Sequence, residues 1–162
     1  MNEKVLEIRY ATKEDVPLIL HFIKELAEYE KMSDDVIATE ELLEEWIFEK
    51  KSAEVIFALY NGKEAGFALF FHNFSTFLGR AGLYLEDVFV KTEYRGNGYG
   101  KGLLKELAKI AVDRGCGRME WSCLDWNRPS IDFYLSLEAK AMDEWTIYRL
   151  AGERLHALAN QE

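Results

Sequence analysis

The spacing of apolar residues switches repeatedly between a period of two and a helical period, and each switch marks an element. Val5–Arg9 alternates apolar and polar residues, the pattern of a half-buried strand. Ile19, Phe22, Ile23 and Leu26 recur at helical spacing, behind Thr12 with Asp15 as an entry cap and Pro17 in the first turn. A second helix is expected from Thr39 to about Lys50, with Leu42, Leu43, Trp46 and Ile47 on one side. Glu54–Tyr60 and Ala65–His72 read as strands, joined by Asn61-Gly62, a strong hairpin signal. Leu83–Lys91 is another strand, rich in β-branched and aromatic residues. A helix follows the glycine cluster that ends at Gly102 and runs to Arg114, with Leu103, Leu104, Leu107 and Ala111 inward and Gly115 as its stop. Arg118–Leu124 is expected as a strand, Pro129–Leu137 as a short helix and Trp145–Leu150 as a final strand, with Leu155 and Leu158 in a tail helix.

The order β-α-α-β-β-β-α-β-α-β predicts an α/β fold with a mixed, mostly antiparallel central sheet flanked by helices. The hairpin-joined strands should be antiparallel, and the step from Leu83–Lys91 to Arg118–Leu124 should be a crossover. At 162 residues and 18.8 kDa, with no linker or repeat, one domain over 1–162 is expected.

Composition narrows the function classes. Hydrophobic residues at 49% and charged residues at 30% describe a soluble globular chain and exclude disorder. No apolar run reaches the ~20 residues of a membrane span, and the N-terminus lacks the basic start and apolar stretch of a signal peptide. Cys116 and Cys123 are too few for a disulfide framework or a four-ligand zinc site. His21, His72 and His156 are widely spaced, without Cys or carboxylate at metal spacing, so no metal is expected. A cytoplasmic protein with reduced thiols is the expectation. The net charge of −9 argues against nucleic acid as a partner. It also concentrates small cations near the surface, although negative charge serves solubility equally well.

The most informative segment is Tyr94-Arg95-Gly96-Asn97-Gly98-Tyr99-Gly100-Lys101-Gly102. It follows a strand and opens a helix, where free backbone N–H groups and the helix dipole attract phosphate. It is not a P-loop, because Gly102 stands where a magnesium-binding hydroxyl is needed. Rossmann spacing fails too, since the sixth residue is Lys101 counted from Gly96 and Leu103 counted from Gly98.

Arg95-Gly96-Asn97-Gly98-Tyr99-Gly100 resembles the Arg/Gln-x-x-Gly-x-Gly/Ala pyrophosphate loop of the GNAT N-acetyltransferases. The element order fits that family from Glu7 to about Leu150, and the preceding Tyr84–Val90 strengthens the match. Ile23–Glu30, Leu83–Val90 and Asp125-Trp126-Asn127 leading to Phe133-Tyr134 resemble the spermidine/spermine (diamine) and thialysine acetyltransferases. The resemblance implies the GNAT fold, acetyl-CoA as co-substrate, a primary amine as acceptor, no metal and a homodimer. It places the pyrophosphate on Arg95, Gly96, Asn97, Gly98, Tyr99, Gly100 and Lys101. The pantetheine amides would pair with Val88, Phe89 and Val90, and Asn127, Arg128, Pro129 and Ser130 would flank the CoA arm.

The chemistry requires a neutral amine, although a free alkylammonium has a pKa near ~10, and it benefits from protonating the departing thiolate. By the same resemblance Tyr134 stands at the catalytic tyrosine, and a phenol is protonated at neutral pH and can donate. Its alternative is an amphipathic packing residue. Glu86 is the candidate base, directly or through water, or a ligand for the ammonium. Asp87 beside it should face the opposite side of the strand. An ion pair with a nearby Lys or Arg is the plain alternative for these carboxylates. Tyr29 and Glu30 match the relatives' acceptor segment, where a ring beside a carboxylate suits an alkylammonium. Glu120, Trp121 and Ser122 match the strand across the cleft, and Asp143, Glu144 and Trp145 are further candidates to close the pocket.

One departure stands out. Where the family turns on Gly after the tyrosine, this chain has Glu138, at a cost of roughly ~1 kcal/mol if the turn stays left-handed. The basic residues that diamine acetyltransferases carry just after the tyrosine are also absent. The expected activity is acetyl transfer to a small cationic amine, such as a polyamine, diamine or thialysine-like amino acid. The rivals are acetylation of a protein lysine or N-terminus, and a non-catalytic acyl-CoA sensor.

Overall fold

A computed structural model describes residues 6–162. The expected start of the first strand at Val5 lies outside the described residues. The chain forms two units, one ending at Ser122 and one running from Cys123 to Glu162.

The first unit is built on a five-stranded sheet in the order β1-β2-β3-β4-β5: Glu7–Tyr10, Glu54–Tyr60, Lys63–Ser75, Arg80–Val90 and Met119–Trp121. Neighbours are antiparallel from β1 to β4, and β5 lies parallel to β4 after the crossover. Asn61 (φ 48°) and Gly62 (φ 77°) both take positive φ, which the β2–β3 hairpin requires for its twist to match the strands.

Both faces of the sheet are covered, so the central strands are buried almost continuously. Helix α1, Val16–Tyr29, starts behind Thr12, whose backbone N–H donates to Asp15 Oδ2 at 2.7 Å. It packs Ile19, Phe22 and Leu26 onto Val55, Phe57, Phe67 and Phe89. Phe22 stacks on Phe67 with ring centroids 5.1 Å apart. Helix α3, Tyr99–Asp113, lies against β2, β3 and β4 and buries Leu103, Leu104, Leu107 and Ala111 as expected. Gly115 (φ 76°) ends it, with the Cys116 N–H closing back on the Ala111 carbonyl at 2.8 Å.

The second helix departs from its expected form. α2 begins at Glu40–Leu43 and continues as π-helical turns over Glu44–Glu49, with Lys50 N–H donating to Glu45 O at 2.8 Å. The wider turn breaks the helical register, so Ile47 is buried while Leu42 and Trp46 stay exposed. The Trp46 ring carries the Lys50 ammonium 4.0 Å from its centroid.

The second unit holds α4, Arg128–Ser136, and α5, Glu153–Ala159, close to the two helices expected there. Two strand expectations are corrected. β5 spans only Met119–Trp121 rather than Arg118–Leu124, because its ladder with β4 covers only Leu83–Leu85. Trp145–Leu150 is not a strand. A ladder needs a neighbour, and no described residue pairs with this segment, so its alternating residues lie exposed.

At the end of α4, Glu138 adopts φ 63°, the left-handed value that the sequence made costly. Its N–H donates to Leu135 O at 3.0 Å, and the Ala139 N–H donates to Tyr134 O at 3.2 Å, a Schellman closure. Glu138→Gly should therefore stabilise the protein by about 1 kcal/mol, read as a higher midpoint in thermal or denaturant unfolding. A lower midpoint would show that the Glu138 side chain outweighs its backbone strain.

Candidate functional site

The sheet opens where β4 and β5 part. β4 pairs with β3 along its length but with β5 only over Leu83–Leu85. Beyond that point Glu86–Val90 has no ladder partner on its second edge among the described residues. Such an edge can accept an extended run of amides as an added strand. Leu69 faces Asp87 while the next residue, Phe70, faces Leu85, so Glu86 is the extra residue of a bulge. Burial still alternates across the bulge, with Leu85 and Phe89 buried, Asp87 half-buried and Glu86 exposed, as expected of neighbours on opposite sides of a strand.

Asp87 carries the strongest carboxylate perturbation in the site, its pKa raised to about 7. Loss of solvent is the main cause, reinforced by the negative charges of Glu86 and Glu30. Glu30, just past α1, is itself raised by burial. The fold thus brings together Glu30, Glu86 and Asp87 from two distant segments, with Tyr29 alongside at 6.3 Å from the Phe89 ring. A positive charge placed here relieves both the repulsion and the desolvation, so the cluster favours a cation.

Past Val90 the chain makes one 3-10 turn, Thr92–Tyr94, and enters the glycine loop. Gly96 (φ 79°) and Gly98 (φ 84°) take backbone conformations that favour glycine, and Gly98 caps α3. The Asn97 amide braces the loop by donating to Tyr94 O at 3.0 Å. The Gly102 N–H donates to Gly98 O at 2.9 Å, and among the described residues those of Tyr99, Gly100 and Lys101 have no backbone acceptor in the first turn. Together with the helix dipole they suit a pyrophosphate, so the residues present fit the CoA group the resemblance implies. The Tyr99 ring itself is buried edge-on to Tyr60 and Tyr94, so it anchors the helix start. The Arg95 Nε donates to Val90 O at 3.0 Å, and its guanidinium lies over the Tyr29 and Phe89 rings.

On β5, Glu120 is engaged within the protein, with Arg118 at 3.0 Å and the Asn73 amide at 3.3 Å. Trp121 is half-buried opposite Leu85, and Ser122 Oγ lies 3.0 Å from the Tyr84 hydroxyl. In the second unit, the buried Asn127 caps α4, its Oδ1 accepting from the Ser130 N–H at 3.4 Å. Pro129 occupies the first turn, and Arg128 pairs with Asp132 at 3.0 Å. Tyr134 is half-buried on α4, its ring 5.7 Å from that of Phe133. Asp143, Glu144 and Trp145 are exposed.

A cavity of about 310 Å³ opens beside this cluster, lined by Glu25, Glu28, Tyr29, Phe89, Thr92 and Glu93. Glu25, Glu28, Thr92 and Glu93 are not among the residues expected at the site from sequence. Glu25 and Glu28 had a readable signal, since three-residue spacing sets them on one face of α1, apart from Ile19, Phe22 and Leu26.

Comparison with known proteins places this geometry in context. A model of the acetyltransferase (GNAT) family matches residues 20–138. The thialysine N-epsilon-acetyltransferase of Sus scrofa is 39% identical, with 95% of this chain and 97% of that protein covered. The L-ornithine N5-acetyltransferase of Arabidopsis thaliana is 32% identical over 93% of this chain and 86% of its own. Among solved structures, an integron cassette protein from the mobile metagenome of V. cholerae superposes with a TM-score of 0.80 at 31% identity. That match covers 96% of this chain and 98% of the other.

The raised Asp87 pKa sets a sign. Between about pH 4 and 7 the folded chain holds a proton that the unfolded chain has released, so this group makes stability fall as pH rises. Asp87→Asn should remove that contribution, so the variant gains on the parent in melting temperature as pH rises from 4.5 to 8. Parallel curves would show that Asp87 ionises normally.

Proposed function

The chain belongs to the GNAT acetyltransferase family, and on that premise we propose which of its residues carry the transfer and which amine receives it. It is an acetyl-CoA-dependent amine N-acetyltransferase acting on a small cationic substrate. The reading is carried by one observation: the unpaired β4 edge, Glu86–Val90, leads into the glycine loop at the start of α3, beside a cluster of desolvated carboxylates.

Acetyl-CoA supplies the acyl group already activated as a thioester. The N–H groups from Gly96 to Lys101 bind its pyrophosphate, and the β4 edge at Val88, Phe89 and Val90 aligns its amide arm. In the family's pattern Asn127, Arg128, Pro129 and Ser130 flank that arm. Tyr29 and Glu30 form the acceptor wall with Glu86 and Asp87, and Glu120, Trp121 and Ser122 extend it. Asp87 and Glu30 supply negative charge where water is scarce, which draws an alkylammonium in. Glu86, on the solvent side of the bulge, takes the proton the amine must lose before it attacks. Tyr134, at the family's catalytic position, returns a proton to the departing sulfur. Holding both partners in one ternary complex provides much of the rate.

The acceptor is a polyamine, a diamine or a thialysine-like amino acid. The names of the similar proteins support this class, since thialysine and ornithine both present a side-chain amine. The same reading carries a homodimer and a cytoplasmic location. No described helix is long and apolar enough to cross a membrane.

Tyr134→Phe should keep acetyl-CoA affinity and lower kcat by about 10²–10³, the scale of a lost general acid. Unchanged turnover would remove Tyr134 from the chemistry. Glu86→Gln should raise the amine KM, lower kcat, or both, with an altered pH–rate profile. Parental constants and an unaltered profile would leave Glu86 a structural residue.

A further inference from the structure

The Tyr29 ring, expected beside Glu30 to receive the substrate's ammonium, already holds a cation from the protein, shared with Phe89. The Arg95 guanidinium carbon lies 4.5 Å from the Tyr29 ring centroid and 5.2 Å from that of Phe89. Both are within cation–π range. The same side chain donates from Nε to Val90 O at 3.0 Å, so it is tied both to the end of β4 and to the end of α1.

The position of Arg95 gives this contact a consequence. Next comes Gly96 at φ 79°, then Asn97 and Gly98 at φ 84°. Glycines lose more conformational freedom on ordering than other residues, so a glycine loop that must present several N–H groups at once needs fixing at its ends. At the exit, the Tyr99 ring is buried against Tyr60 and Tyr94. At the entry, Arg95 on Tyr29 and Phe89 is the corresponding pin.

We propose that Tyr29 is a positioning residue for the cofactor loop, acting through Arg95: a residue of the acceptor wall sets how firmly the pyrophosphate donors are held. This inference rests on the reading of Gly96–Lys101 as the pyrophosphate site. Because Phe89 lies on β4, the clamp also ties the loop to the strand edge that aligns the cofactor arm. Disturbing the acceptor wall then weakens the cofactor before any amine is present.

The test is calorimetric binding of acetyl-CoA, without amine, to the intact protein and four variants. Tyr29→Leu should bind about three- to fivefold more weakly, the scale of an exposed cation–π contact. Tyr29→Phe keeps the ring face and should bind like the parent. Arg95→Gln should lose a similar factor or slightly more, because the Val90 contact goes too. Tyr29→Leu combined with Arg95→Gln should be no weaker than Arg95→Gln alone, since the two losses are one interaction. Parental affinity in Tyr29→Leu, or losses that multiply in the double variant, would overturn this proposal while leaving the loop's assignment intact. Absence of binding by the parent would overturn the loop's assignment, and the proposal with it.

Discussion

Two parallel strands that part after three paired residues organise the functional half of this protein. β5 follows β4 only over Leu83–Leu85, and among the described residues the backbone of Glu86–Val90 then has no ladder neighbour on one side. An open edge of this kind is normally a liability, which proteins shorten, charge or cover. Here the bulge at Glu86 falls where the pairing stops. The open edge follows from that parting, and the exposed Glu86 and half-buried Asp87 stand at its start.

The adjoining parts are arranged by charge. Asp87 is desolvated and crowded by Glu86 and Glu30, a state that costs free energy until a cation arrives. The helix start after Gly98 attracts negative charge through its free N–H groups. One strand–loop–helix unit therefore presents two opposite local fields, one suited to a phosphorylated carrier and one to a cationic amine. Arg95 stands between the two, its backbone in the loop and its guanidinium on the rings of the acceptor wall.

Much of this was legible in the sequence wherever one segment decides its own shape. Asn61-Gly62 fixed a hairpin, Gly115 ended α3, and the glycine run after Tyr94 announced a helix entry open to an anion. Glu138 was recognisable as strained because a left-handed closure was expected there, and the backbone adopts it. What sequence could not supply depended on partners distant along the chain. Alternation separated Glu86 from Asp87, but the bulge beside them exists only in the pairing of β3 with β4. That the Tyr29 ring carries the Arg95 guanidinium depends on a partner far along the chain. The pattern of Trp145–Leu150 is that of a strand, yet a pattern without a hydrogen-bonding neighbour stays irregular. The π-helical turns that expose Trp46 leave no signature in apolar spacing.

Thiol release would show whether the protein transfers acetyl from acetyl-CoA to a small cationic amine. The purified protein would be given acetyl-CoA with spermidine, putrescine, thialysine, lysine or a lysine peptide. Turnover is expected with at least one free small amine, with faster release than the peptide gives. Turnover with the peptide alone, or none with any amine while acetyl-CoA still binds, would contradict it.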